Sequence, residues 1–223
     1  MRKIIVRPPI DCELYRPSNG DRDKATVIGS HEYSLLYMGP LWPSRFPAQN
    51  VLGALRLLLQ KGFDVRLTVL TSARSSVALC EEVSALAKSL GVDKNVFLER
   101  KDLSETKRVL EYNSADVIIF PYVGPDPEQL ADPPFGILES MACGRVVLST
   151  RVLSVPEVVS DGRTGFLIGN ASPDEICAGI VRALTSKDRE FVGIRARERV
   201  VEDFSYPAVR EDLIEAYESL LAS

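Results

Sequence analysis

Between Ser34 and about Leu184 the apolar positions keep switching between two spacings. One repeats every second residue or runs unbroken, as strands do; the other repeats every three to four, as helices do. Leu35-Leu36-Tyr37-Met38 reads as a strand, followed by a helix with Val51, Leu52, Leu55, Leu58 and Leu59 on one face and Gly62 as its stop. Val65 to Leu70 alternates in polarity as a second strand. Leu79, Val83, Leu86, Ala87 and Leu90 share one face of a second helix, which Gly91 closes as a left-handed cap. A short strand near Asn95 to Leu98 and a helix over about Ser104 to Tyr112 come next. Val117-Ile118-Ile119-Phe120 is apolar on both sides, which suits a central strand covered on both faces. Phe135 to Cys143 reads as a helix, and Arg145 to Ser149 and Gly165 to Ile168 as strands. Ser172-Pro173-Asp174-Glu175 opens a further helix with a capping box and a proline at its first position.

Strand and helix in strict turn, with short connections, imply parallel strands joined by right-handed crossovers. The expected fold is therefore α/β, an open doubly wound parallel sheet of Rossmann-like type. Both ends of the chain leave this pattern. Residues 1–33 hold Pro8, Pro9, Pro17 and the polar run Ser18-Asn19-Gly20-Asp21-Arg22-Asp23-Lys24, which is loop chemistry and reads as a lead-in segment. The Rossmann-like domain spans 34–186. Residues 187–223 form a charge-rich helical tail interrupted at Phe204-Ser205-Tyr206-Pro207.

Charge narrows the partners. The 223 residues carry 27 Lys plus Arg against 31 Asp plus Glu, a net charge of −4, so nucleic acid is not an expected partner. With 45% apolar and 26% charged residues the chain can bury a core. No uncharged apolar run approaches the roughly 18 residues of a membrane span, and the start reads as neither signal peptide nor anchor. The cysteines (Cys12, Cys80, Cys143, Cys177) stand singly, with His31 the one histidine, so four reduced thiols in a cytoplasmic protein and no metal centre are expected.

Ligands of open parallel sheets bind outside the carboxyl ends of the strands, where strand order reverses. Neither G-x-G-x-x-G nor G-x-x-x-x-G-K-[ST] occurs, which disfavours a dehydrogenase and a P-loop ATPase, and no serine lies in a G-x-S-x-G elbow. In the long loop from Gly124 to Pro134, proline and glycine lead directly into the helix at Phe135. Its first-turn N–H groups carry about half a positive charge, a site suited to diphosphate. Glu139, one turn inside, offers a carboxylate to sugar hydroxyls or else only steadies the helix start. At the exit of the first strand, Gly39 and Pro40 lead to Arg45, which could present a two-pronged donor to phosphate. Arg100 and Lys101, at the exit of the third strand, are candidates for touching base or phosphates.

The block Phe135-Gly136-Ile137-Leu138-Glu139-Ser140-Met141-Ala142-Cys143-Gly144, with Val155-Pro156-Glu157-Val158-Val159-Ser160-Asp161-Gly162-Arg163-Thr164-Gly165, resembles the carboxyl-terminal, donor-binding domain of family 4 glycosyltransferases of the GT-B fold. Tyr112-Asn113-Ser114-Ala115-Asp116-Val117 is similar to that family's approach to its central strand. Pro8 to Pro17 resembles its lead-in from an amino-terminal domain. The resemblance implies a retaining hexosyltransferase that takes a nucleotide-diphospho-sugar as substrate and needs neither cofactor nor metal. It implies that Glu139 holds the ribose, that the amides of Phe135, Gly136, Ile137 and Leu138 hold the diphosphate, and that Arg45 neutralises the leaving group, making Arg45 and Glu139 the catalytic pair. Gly39, Pro40, Arg100, Lys101 and Asp132 complete the donor-binding set.

The chain departs from the family in three ways. Pro40 stands where arginine usually follows the glycine, and Ala131 stands where a second glutamate is usual, with Asp132 one step away. An amino-terminal acceptor domain is not part of this sequence, so a separate partner domain or chain is expected. In the tail, Val209, Leu213, Ile214, Tyr217, Leu220 and Leu221 form an apolar stripe for bracing such a partner or for packing on their own domain. A non-catalytic nucleotide-sugar-binding module and a sugar-nucleotide epimerase are the alternatives.

Overall fold

A computed structural model describes residues 7–18, 33–124 and 134–221. Its strands are β1 (Tyr33–Met38), β2 (Val65–Thr71), β3 (Val96–Arg100), β4 (Val117–Phe120), β5 (Val146–Thr150) and β6 (Phe166–Ile168). Between them and after them run α1 (Ala48–Gln60), α2 (Val77–Leu90), α3 (Glu105–Ser114), α4 (Phe135–Ala142), α5 (Val155–Val158), α6 (Pro173–Thr185), α7 (Arg189–Phe204) and α8 (Tyr206–Leu221). The sheet order is β3-β2-β1-β4-β5-β6, and every pairing is parallel. This is the doubly wound arrangement, with its switch point between β1 and β4.

The two faces of the sheet carry separate cores. One packs Leu35, Tyr37, Leu67 and Ile119 against α1, α2 and α6; the other packs Leu36, Ile118, Phe120 and Val147 against α3, α4, α5 and α7. Strand β4 is buried along its whole length because its side chains feed both cores. Gly91 closes α2 in the left-handed region at φ +69°. Where α7 crosses the end of α4, a Cβ on Gly193 would lie 2.3 Å from the Gly144 carbonyl oxygen, so the crossing depends on a residue without a side chain.

Local boundaries depart from the periodicity where turns intervene. Asp93–Asn95 coils into a short 3-10 turn, so β3 starts at Val96. The short helix α5, opened by Ser154 with Pro156 in its first turn, carries too few residues to show a period. The expected capping box at α6 is only half formed. The Ser172 hydroxyl accepts from the Glu175 amide at 3.3 Å, but the Glu175 carboxylate accepts instead from the Gly169 amide, and the Ser172 amide donates to Asn170.

The lead-in is fastened across the amino-terminal end of the sheet. The Ile10 amide donates to the Phe204 carbonyl at 2.7 Å. Arg197 of α7 donates to the carbonyls of Cys12, Tyr15 and Ala142, joining lead-in, α7 and the end of α4. In the tail, Val209 is buried while Ile214, Tyr217 and Leu221 are exposed, so the expected stripe divides between the domain and the outside. Among the described residues no helix is long and apolar enough to cross a membrane.

Candidate functional site

At the β1/β4 switch point the loop after β1 folds back on itself. The amides of Arg45 and Phe46 both donate to the Trp42 carbonyl, and the Tyr37 hydroxyl donates to the Pro40 carbonyl at 2.5 Å. Tyr37 and Phe46 pack with ring centres 4.6 Å apart beneath this loop. The Val123 amide donates to the Ser44 carbonyl at 2.9 Å, tying the β1 exit to the β4 exit. On the β5 side the hydroxyls of Ser149 and Thr150 donate to the carbonyls of Phe120 and Tyr122. Burial there pushes the Tyr122 hydroxyl up to about 12, with Arg45 opposing the rise.

These contacts frame a cavity of about 210 Å³ lined by Tyr37, Gly39, Pro40, Arg45, Tyr122 and the start of α4, among others. Arg45 is half-buried, its guanidinium carbon 5.3 Å from the centre of the Tyr122 ring. Cation–π stacking of this kind holds the planar group in one orientation. Opposite it, Pro134, Phe135 and Gly136 bring the first turn of α4 to the cavity wall. A Cβ on Gly136 would touch the Phe120 ring at 3.0 Å, so the absence of a side chain lets the helix start sit directly on β4.

The structure thus brings Gly39, Pro40, Arg45, Phe135 and Gly136 to one cavity, and places Ile137, Leu138, Glu139, Arg100 and Lys101 elsewhere. Ile137 and Leu138 are fully buried, and their amides turn back to the Pro134 carbonyl at 3.0 and 3.5 Å. The anion-facing part of α4 therefore narrows to Phe135 and Gly136, whose amides precede any intrahelical acceptor. Arg100 donates to the carbonyls of Ala73 and Ser75, and Lys101 pairs with Glu99 at 2.5 Å. Both extend from β3, separated from the switch point by β2 and β1, because the third strand in sequence lies at the edge of the sheet. Asp132 and His31 lie outside the described residues.

Glu139 lies one turn deeper than Gly136, 7% exposed, and is not part of the cavity wall. Its carboxylate accepts from Arg108 at 3.2 Å through Oε1 and from the Tyr112 hydroxyl at 2.8 Å through Oε2. Burial first, and the Glu139 charge second, push the hydroxyls of Tyr112 and Tyr15 well above the usual tyrosine value. Sequence reasoning missed Arg108 and Tyr15 as neighbours of Glu139. The four-residue spacing of Arg108 and Tyr112 on α3, which puts both on one helix face, was the available signal.

All four cysteines are free. Among the described residues no group of three His, Cys, Asp or Glu side chains gathers as a metal site.

An open parallel sheet with a cavity at its switch point, an arginine on one wall and a helix start on the other, defines a Rossmann-like domain. Residues 32–186 match the family described as glycosyl transferases group 1, and the chain belongs to that family. It is 27% identical over 99% of its length to alpha-maltose-1-phosphate synthase of Mycolicibacterium smegmatis, covering 58% of that protein. It is 29% identical over its whole length to D-inositol 3-phosphate glycosyltransferase of Corynebacterium glutamicum, covering 53%. The chain thus spans a little over half the length of these relatives.

Among solved structures, the Anabaena protein HepE in complex with UDP and glucose superposes with a TM-score of 0.79 at 16% identity, over 96% of this chain and 56% of that one. The C-terminal domain of a group 1 family glycosyl transferase (LpcC) from Francisella tularensis matches with a TM-score of 0.74 at 16% identity, over 88% of this chain and 99% of that chain. At such identities the likeness concerns the fold.

Proposed function

We propose that the chain is the donor-binding half of a retaining family 4 hexosyltransferase, taking a nucleotide-diphospho-sugar and passing the sugar to an acceptor held by a separate amino-terminal domain. The observation that carries this reading is the pairing of Arg45 with the first turn of α4 across the switch-point cavity. Two positive features there face one volume suited to a diphosphate. In transfer, the bond between the anomeric carbon and the β-phosphate oxygen breaks with its electrons leaving on the diphosphate. The acceptor oxygen bonds to that carbon on the face the diphosphate leaves and gives up its proton to the departing phosphate oxygen. Arg45 and the Phe135 and Gly136 amides would stabilise the charge that develops on the leaving group, with no metal ion assigned. Support also comes from the HepE complex with UDP and glucose and from the coverage of little more than half of each relative.

The remaining parts of the reading rest on placement. Lead-in residues 7–18 are tied to α7 of the tail, and the exposed Ile214, Tyr217 and Leu221 supply the apolar face for the partner domain. The location assigned is the cytoplasm. A non-catalytic nucleotide-sugar module is the second reading, favoured by Pro40, whose carbonyl is already engaged by Tyr37.

Titration calorimetry with UDP, GDP, ADP and their glucose and mannose conjugates tests the first claim. Micromolar binding of at least one, weakened about tenfold or more in Arg45→Ala, is expected because a charge-assisted phosphate contact is removed. Binding of none overturns both readings. Donor hydrolysis by the chain, or transfer once an amino-terminal domain is supplied, separates the enzyme from the inert module.

A further inference from the structure

The two positive features of the switch-point cavity rest on one pair of rings. Phe120 ends β4 and Tyr122 follows two positions later, and both side chains join the same core. Their ring centres lie 5.9 Å apart with the planes at 49°. Arg45 lies over the Tyr122 ring, and Gly136 of α4 lies against the Phe120 ring, where a Cβ would stand 3.0 Å from it. The pair is held along its backbone as well. The Ser149 hydroxyl donates to the Phe120 carbonyl at 3.0 Å and the Thr150 hydroxyl to the Tyr122 carbonyl at 2.8 Å. The Val123 amide donates to the Ser44 carbonyl, one residue before Arg45. Two buried rings so fixed form a rigid spacer between a guanidinium and a helix start.

An arginine in a cavity wall ordinarily samples many rotamers, and ordering it on binding costs affinity. Resting on Tyr122, Arg45 is ordered beforehand, at a set separation from the Phe135 and Gly136 amides. A monophosphate engages one of these features, whereas two linked phosphates engage both at once and alone gain from the spacing. We propose that Tyr122 is a positioning residue: braced by Phe120, it sets Arg45 and the start of α4 as a pair for two linked phosphates, so the site prefers a nucleoside diphosphate to a monophosphate. This rests on the donor-binding reading above and adds to it the source of selectivity for the second phosphate. Tyr122 acts through Arg45.

Titration calorimetry on the full chain, with UMP, GMP and AMP against UDP, GDP and ADP, tests it in wild type and in Tyr122→Leu, Tyr122→Phe and Arg45→Ala. Wild type is expected to bind the best diphosphate at least about tenfold more tightly than its monophosphate. Tyr122→Leu is expected to lose about tenfold for the diphosphate and less than about twofold for the monophosphate, because only the former uses the spacing. Tyr122→Phe keeps the ring and is expected to stay within about threefold of wild type for both. In the Arg45→Ala background, Tyr122→Leu is expected to change diphosphate affinity by less than about twofold, since nothing is left to position.

An equal loss for both ligands in Tyr122→Leu, as a general loosening of the cavity would give, overturns the inference and leaves the nucleotide reading intact. So does a full further loss on top of Arg45→Ala, or a loss in Tyr122→Phe as large as in Tyr122→Leu. Equal wild-type affinity for mono- and diphosphate removes the selectivity and overturns the inference alone. Binding of no nucleotide overturns the functional reading and the inference with it. Thermal unfolding identifies any variant that is not folded, and Tyr122→Met, which fills more of the ring's volume, takes the place of Tyr122→Leu in that case.

Discussion

The two ends of the sheet carry cavities of opposite character. At the amino ends of β4 and β5 lies a cleft of about 900 Å³, walled by Pro17, Asp116, Arg145, Arg189, Arg197 and Glu198 among others. At the carboxyl ends lies the cavity of about 210 Å³ beside Arg45. The larger one is richer in charge, yet its arginines serve the fold. Arg197 holds three backbone carbonyls, Arg145 holds Asn113 and the Cys143 carbonyl, and Arg189 stands 3.7 Å from the buried Asp116. These contacts fasten the lead-in, α4 and α7 to one another. In the smaller cavity the arginine is stacked on an aromatic ring and two helix-start amides face it, so positive character is gathered at one point. Under the proposed reading, size and charge count do not locate the site: at the larger cleft the arginines join segments of the fold, whereas at the smaller one an arginine and a helix start meet at one volume.

That contrast breaks if changes at the amino end alter ligand binding, or if they leave stability untouched. The largest effect is expected for Gly193→Ala. The new methyl would meet the Gly144 carbonyl oxygen at 2.3 Å, and because both partners are backbone the helix crossing must open, costing about 3 kcal/mol. Chemical denaturation should show it as a lower midpoint, with nucleotide affinity within twofold of wild type at temperatures where the variant is folded. Arg197→Met comes next. It keeps much of the side-chain volume but leaves three carbonyls without their charged donor, for a loss of about 2 kcal/mol. A tenfold fall in nucleotide affinity in either variant would show that the amino end communicates with the site and would end the division of labour drawn here.

The fold was almost wholly legible in the sequence because burial on both faces and crossover helices write strong periods: β4 as four unbroken apolar residues, α1 as a stripe from Val51 to Leu58. Gly91 and Ser172 marked helix ends through local chemistry that needs no tertiary context. The candidate site was legible only in part. Arg45 and the start of α4 could be placed because both sit beside strand exits near the switch point. Arg100 sits at a strand exit too, but strand order in space cannot be read from strand order in sequence, and β3 lies at the edge. The Arg108–Tyr112–Glu139 contact joins residues 27 and 31 positions apart; the four-residue spacing on α3 puts the two donors on one face but does not say which carboxylate they meet. The amides of Ile137 and Leu138 were assigned to a ligand because a helix start shows on average which donors are orphaned, whereas the Pro134 carbonyl turns inward and takes these two.

The smallest of the expected effects concerns α4, which connects the two ends: it begins at the carboxyl-end cavity with Phe135 and finishes at the amino end beside Cys143. That thiol is fully buried, and burial pushes it from an ordinary value near 9.0 up to about 12, against a partial opposing pull from Arg145. The unfolded chain therefore gives up this proton near pH 9 while the folded chain keeps it. Above pH 9 the unfolded state binds fewer protons than the folded one, so stability must fall as pH rises, at up to about 1.4 kcal/mol per pH unit for one group. The loss begins near pH 9 and continues until the folded thiol itself ionises near 12. Between pH 9 and 10 the contribution of Cys143 amounts to about 1 kcal/mol, on top of what the raised tyrosines add in the same direction at higher pH. Denaturation midpoints of wild type and Cys143→Ala measured at pH 7, 9 and 10 isolate it. The variant should start less stable at pH 7 because a small cavity is opened, and should close about 1.4 kcal/mol of that gap by pH 10, about 1 kcal/mol of it above pH 9. Parallel loss in the two proteins would mean that the thiol ionises as readily folded as unfolded, and that the end of α4 is open to solvent at the amino end rather than sealed by α7.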